Sequence, residues 1–160
     1  MIRFARVQPW LSLMVRLALA GILLWAGLAK LVEPLVALQA VAAYELLPQA
    51  LIPIVGYGLP LLEVAMGLLL LLGLLTRWVA VGTAVLMAVF IAGVASAWAR
   101  GLTIDCGCFG GGGQVAPGET QYLAEILRDL GFIALAAWLV VFPRSRFGLD
   151  ARYAELDDDE

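Results

Sequence analysis

The sequence predicts an all-α, polytopic membrane protein with four transmembrane helices in an antiparallel bundle. Three observations carry that prediction. Hydrophobic residues make up 63% of the 160 residues, with a mean hydropathy of +0.97, where a soluble domain holds roughly 45–50% apolar residues. The apolar residues gather into four long runs, each close to the ~20 residues a helix needs to cross a bilayer. The least hydrophobic stretch of the interior, centred on Asp105-Cys106-Gly107-Cys108-Phe109-Gly110, falls between the third run and the fourth. The net charge of −3 reflects an acidic C-terminal end. No basic patch interleaved with aromatics points to nucleic acid.

The first run follows a basic start, Arg3 and Arg6, with Arg16 further in. A basic start and an apolar run resemble a signal peptide. No small-residue cleavage site ends the run in a polar region, so it reads as an uncleaved first span over about residues 11–32. Glu33-Pro34 breaks the chain there. Residues 34–50 carry Gln39, Tyr44, Glu45 and Pro48 and are too punctuated to cross. They read either as an interfacial helix from Pro34 to before Pro48, with Tyr44 at headgroup depth, or as a connecting loop. The second span, about 53–75, holds a single ionisable residue, Glu63. The third, about 77–99, follows so closely that the two should form a tight antiparallel hairpin. Gly93 with Ala97, and Ala92 with Ser96, give it small-residue faces for helix contact. The cysteine loop occupies 100–120. The fourth span, about 121–142, begins after Thr120, a reasonable N-cap, and carries Glu125, Arg128 and Asp129 in its first turns. Residues 1–142 form one membrane domain. Residues 143–160 are expected to be a largely disordered cytoplasmic tail, ending in four acidic residues.

Cys106 and Cys108 are the only cysteines in the chain, one glycine apart. Two residues that close can be bridged only if the backbone between them turns, and Gly107 reaches φ > 0 without a Cβ clash. A ring that small is expected to be strained and readily reduced. The pair reads as a redox dithiol or as two inert thiols in a loop. A structural zinc site wants four ligands, and the chain has no histidine, so no metal is expected.

Seven basic residues collect on one side of the spans: Arg3, Arg6, Arg16, Arg77, Arg144, Arg146 and Arg152. Lys30, Arg100 and Arg128 fall on the other. By the positive-inside rule both termini are cytoplasmic and the cysteine loop faces outward, in a bacterial inner membrane toward an oxidising compartment. Lys30, Glu63 and Arg100 then belong to the outer half of the bundle, as an intramembrane polar pocket beneath the cysteines. That pocket serves either as a structural ion pair or as a site that exchanges the protons of dithiol oxidation.

The segments Leu24-Trp25-Ala26-Gly27-Leu28-Ala29-Lys30 with Pro34, Tyr44-Glu45-Leu46-Leu47-Pro48, Pro60-Leu61-Leu62-Glu63 with Gly67 and Gly73, and Arg100-Gly101 with the cysteine motif resemble the methylamine-utilisation MauE family. The likeness covers about residues 10–142. It implies a place among the DoxX-like four-helix membrane proteins and a part in extracytoplasmic thiol chemistry. Cys106 and Cys108 would be the exchanging pair, and Asp105, Gly107, Phe109 and Gly110 the supporting loop. The implied partner is a thioredoxin-like protein or a disulfide-rich client. With one cysteine pair the chain cannot relay electrons between two disulfides of its own, so a membrane quinone is a candidate carrier. Two other classes compete: a non-catalytic membrane assembly subunit, and a small-molecule carrier that uses the Glu63 pocket.

Overall fold

The computed structural model describes residues 2–116 and 118–150, with side chains from residue 7 onward. The side chains of Arg3 and Arg6, Pro117, Arg152 and the acidic residues 157–160 lie outside the described residues. The chain is mostly helical: α1 (Ile2–Val32), α2 (Pro34–Ala43), α3 (Ile52–Leu72), α4 (Thr76–Ala99) and α5 (Tyr122–Val141), with a two-stranded ribbon, β1 (Ile104–Asp105) and β2 (Gly113–Gln114), between α4 and α5.

The sequence predicts four crossings. Among the described residues three helices are long and apolar enough to make one: Val7–Val32 within α1, Ile52–Leu72 and Thr76–Ala99. The fourth predicted span is a helix of 20 residues, but Glu125, Arg128 and Asp129 all lie in its first half. The stretch after Glu33 is helical, with Pro34 in its first turn, where a fixed φ and a missing N–H cost nothing. Gln121, rather than Thr120, stands at the N-cap of α5. Gly73 caps α3 in the left-handed region, φ +67, so the helix stops at Leu72, three residues before the predicted end of that span.

Packing pairs the helices differently from the hairpin that the short link suggests. α3 packs chiefly on α1, and α4 chiefly on α5, so α3 and α4 touch little although only residues 73–75 separate them. Two glycines explain the α1–α3 pairing. A Cβ on Gly27 would lie 2.7 Å from Val64 Cγ2 and 2.8 Å from the Pro60 carbonyl; one on Gly67 would lie 2.8 Å from Leu24 Cγ. Bare backbone at both places lets the helix axes approach, which is how small residues drive helix contact where lipid removes the hydrophobic incentive. Leu19, Leu23, Leu70, Ala80, Ala136 and Leu139 form the main apolar core.

Residues 143–150, which the sequence assigns to a largely disordered tail, fold back over the end of the molecule formed by the α3–α4 link. Buried Arg16 donates from Nη1 to Ser145 Oγ at 2.9 Å. The Asp150 carboxylate accepts from the backbone N–H groups of Leu75 and Thr76, both at 2.8 Å. A carboxylate supplied from 74 residues away thus caps the N-terminus of α4, where orphan N–H groups and the helix dipole both favour it. Asp150→Ala should therefore cost about 1 kcal/mol, the usual worth of an N-cap. Thermal unfolding in detergent would register it, and an unchanged melting temperature would show that this contact stabilises nothing.

Candidate functional site

The cysteine loop stands at the end of the molecule opposite Asp150, on the side where α5 begins. It is a hairpin. Ile104 pairs with Gln114 and Asp105 with Gly113, antiparallel, and the bend between them holds Cys106, Gly107, Cys108, Phe109 and three glycines. Tyr122 of α5 anchors its base: the phenol oxygen accepts from Ile104 N at 3.1 Å and donates to the Leu102 carbonyl.

Gly107 takes φ +67, the turn that brings the two sulfurs face to face, 2.6 Å apart. Its role is also steric, since a Cβ there would lie 2.7 Å from Ala40 Cβ in α2. Gly112 meets the same limit, 2.7 Å from Ala40 Cβ and 2.7 Å from Gly107 Cα. Gly107 and Gly112 thus let the hairpin press onto α2. Asp105 Oδ1 accepts from Gly107 N at 3.2 Å and steadies the turn.

The two thiols differ. Cys108 is buried and Cys106 partly exposed. Cys106 Sγ accepts from Cys108 N at 3.2 Å and from Arg128 Nη2 at 3.7 Å. These contacts hold the Cys106 thiol below the ordinary thiol range: the hydrogen bond shared with Cys108 acts first, then, against the penalty of burial, Arg128 and the Cys108 N–H. The same shared hydrogen bond, together with burial, pushes Cys108 far up. Cys106 is thus the more acidic thiol of the pair. Arg128→Gln should raise the pH at which Cys106 becomes half-alkylated by iodoacetamide and slow the reaction at neutral pH. A pH profile identical to wild type would remove Arg128 from the account of this thiol.

Three residues of this site are not in the sequence-derived set. Arg128 stacks on Phe109, 4.8 Å from the ring centroid, and pairs with Asp129 at 3.0 Å. Glu125 Oε1 accepts from Cys106 N at 3.4 Å, while its Oε2 is buried without a hydrogen-bond partner. Tyr44 donates from its hydroxyl to the Cys106 carbonyl at 3.4 Å, and burial, with the two thiols next, raises its phenol well above the ordinary value. The available signal was the clustering of Glu125, Arg128 and Asp129 at the loop end of one helix. For Tyr44 there was only its place in a segment named for other reasons.

Of the expected pocket, Lys30 and Glu63 meet. Lys30 Nζ donates to both Glu63 carboxylate oxygens, at 2.7 and 2.8 Å, with 8% and 1% of the side chains exposed. Arg100 does not join them. It is exposed, stands at the C-cap of α4 rather than within the helix, and donates from Nη2 to the Tyr44 carbonyl. Phe109 and Gly110 stay in the hairpin, Phe109 with its ring edge-on to Phe132. Asp105, Cys106 and Glu125 place one donor atom each within 4.8 Å of one another, one short of the four that a structural zinc ion takes.

A cavity of about 320 Å³ joins the two polar features. α2, α3 and α4 wall it, Lys30 lines it at one place, and Cys106, Gly107 and Cys108 line it at another. Apart from Lys30, Tyr44 and the cysteines its lining side chains are apolar.

Comparison with known proteins adds one positive finding. Residues 8–142 match the family model described as Methylamine utilisation protein MauE. No curated protein and no solved structure matches the chain.

Proposed function

The chain belongs to the MauE family, and from that premise we propose that it is a membrane thiol-disulfide exchange protein whose Cys106–Cys108 pair serves an extracytoplasmic partner. The family's name ties it to methylamine utilisation, and its apolar helices make it a membrane protein. The observation that carries the finer reading is the asymmetric dithiol: two sulfurs face to face in a glycine turn, one lowered and one raised.

In this reading Cys106 is the attacking thiolate. It opens a disulfide in a thioredoxin-like protein or client, or is itself attacked when the flow runs the other way. Cys108 then resolves the mixed disulfide. Glu125, with one free oxygen beside Cys106, takes up the proton released. Arg128 and the Cys108 N–H keep the thiolate charged between steps. Four crossings belong to the same proposal, with α5 as the fourth. Its charged first half would be tolerated in a membrane because Glu125 and Asp129 are buried against protein and Arg128 is paired. The DoxX-like bundle and the cytoplasmic termini go with it, on the strength of the arginine distribution.

The decisive experiment traps the intermediate. Cys108→Ser should leave Cys106 linked to its partner, a mixed disulfide visible on a non-reducing gel and resolved by dithiothreitol. Cys106→Ser should trap nothing. If neither variant yields a linked partner and both support growth as wild type does, the thiols are incidental and the protein is a non-catalytic assembly subunit. Sidedness is tested separately. A membrane-impermeant maleimide added to intact spheroplasts after mild reduction should label the pair, whereas labelling that needs lysis would invert the topology.

A further inference from the structure

We infer that the cavity between α2, α3 and α4 is a binding site for the headgroup of a membrane quinone, which accepts the two electrons of the Cys106–Cys108 pair. The inference rests on the exchange reading above and supplies what that reading leaves open: where the electrons go.

Four observations converge. First, the volume is about 320 Å³, at the lower end of the ~300–1,000 Å³ typical of small-ligand pockets and ample for one substituted six-membered ring. Second, the walls suit a flat apolar ring, with Phe90, Leu59 and Val55 among them. Third, one charged donor, Lys30, stands on an otherwise mainly apolar lining. An ammonium has three N–H groups, and Lys30 spends two on Glu63. The third is free for a carbonyl oxygen, beneath the Phe90 ring at 5.8 Å. Fourth, the dithiol itself forms part of the lining, so an occupant of the cavity touches the reacting sulfurs.

Access follows from the packing. α3 and α4 touch little, and Val89 of α4, which lines the cavity, is 60% exposed. The cavity therefore has a lateral mouth between two helices long and apolar enough to cross a membrane. A ligand dissolved in lipid could enter there and leave its prenyl tail outside. A fatty-acyl chain would fill the apolar walls but use neither the ammonium nor the thiols.

The step balances. The Cys108 S–H bond breaks and one S–S bond forms to the Cys106 thiolate, whose proton Glu125 holds. Two electrons pass to the quinone with two protons, one from Cys108 and one from Glu125, and its two carbonyl oxygens become hydroxyls. Lys30 polarises one carbonyl as charge builds on it. Glu63 fixes the position of that ammonium through two hydrogen bonds.

The test separates binding from chemistry. A benzoquinone carrying one isoprene unit is titrated into the Cys106→Ser/Cys108→Ser protein in quinone-free nanodiscs. Saturable binding is expected, weakened about tenfold or more (roughly 1.4 kcal/mol) when Leu59→Trp fills the cavity. Val55→Trp, which fills the same cavity from one turn away, serves if Leu59→Trp does not elute as a single species. The pre-reduced wild-type protein should return one quinol per cysteine pair by absorbance, and the filled variant should do so about tenfold more slowly. Absence of saturable binding, or binding indifferent to both fillings, overturns the site. Binding without quinol formation overturns the electron transfer. Failure of the exchange reading looks different: the wild-type pair would then resist oxidation by glutathione disulfide as well, while binding to the double serine protein persists.

Discussion

Lys30→Ala should destabilise the protein by about 3–5 kcal/mol, the range for removing one partner of a buried ion pair. The lysine is 8% exposed and Glu63 only 1%, and both Glu63 oxygens take their hydrogen bonds from the one ammonium. Deleting it leaves a carboxylate in an apolar, lipid-surrounded site with nothing to offset its lost hydration. The glycine contacts make relaxation difficult: Gly27 stands one turn from Lys30, Gly67 one turn from Glu63, and both hold α1 hard against α3. Glu63→Gln leaves the complementary problem, a buried ammonium facing an amide. The double variant Lys30→Ala/Glu63→Gln should recover part of the loss, since neither charge is then stranded. Denaturant unfolding in mixed micelles gives all four corners of the cycle. If the double variant is no more stable than the sum of the singles predicts, the pair contributes no coupling and its structural role fails. If Glu63→Gln keeps full stability yet slows quinol production, the carboxylate acts through Lys30 in the reaction rather than in folding.

Gly107→Val should make the cysteine pair a stronger oxidant. A β-branched residue at φ +67 carries a strain of order 1–3 kcal/mol, and its Cβ would press on Ala40 at 2.7 Å. The reduced loop can relieve both by opening away from α2. The oxidised loop, tied across the glycine, cannot, so the cost falls on the disulfide form. For a two-electron couple 30 mV corresponds to about 1.4 kcal/mol, so the reduction potential should rise by roughly 20–60 mV. Titration in defined glutathione buffers, read by alkylation mass shift, measures it. An unchanged potential would mean that the turn at Gly107 does not govern the pair. A wild-type pair that forms no intramolecular disulfide even in strongly oxidising buffer would remove the dithiol relay altogether.

What the sequence determined by itself was local. Hydropathy runs of membrane length mark the helices because each segment must satisfy its own backbone hydrogen bonds; α3, α4 and α5 lie within a few residues of those runs, and α1 ends with its run but begins at Ile2, nine residues before it. Pro34 and Gly73 act through their own dihedral preferences, so the start of α2 follows from local rules and so does the end of α3. The turn at Gly107 was legible for the same reason. What only the tertiary structure decided was which segments meet. α3 leans on α1 rather than on its neighbour in sequence because Gly27 and Gly67 permit a close approach that no hydropathy plot registers. Residues 143–150 are held by Arg16 and by the open N-terminus of α4, partners too distant in sequence for composition to announce. Arg100, grouped with Lys30 and Glu63 by its charge and its place along the chain, stands past the end of α4 and bonds the Tyr44 carbonyl instead. Tyr44, Glu125 and Arg128 converge on Cys106 from 62, 19 and 22 residues away. Propensity and hydropathy act over one helical turn, whereas the surroundings of a thiol are set by whichever side chains the packed helices bring to it.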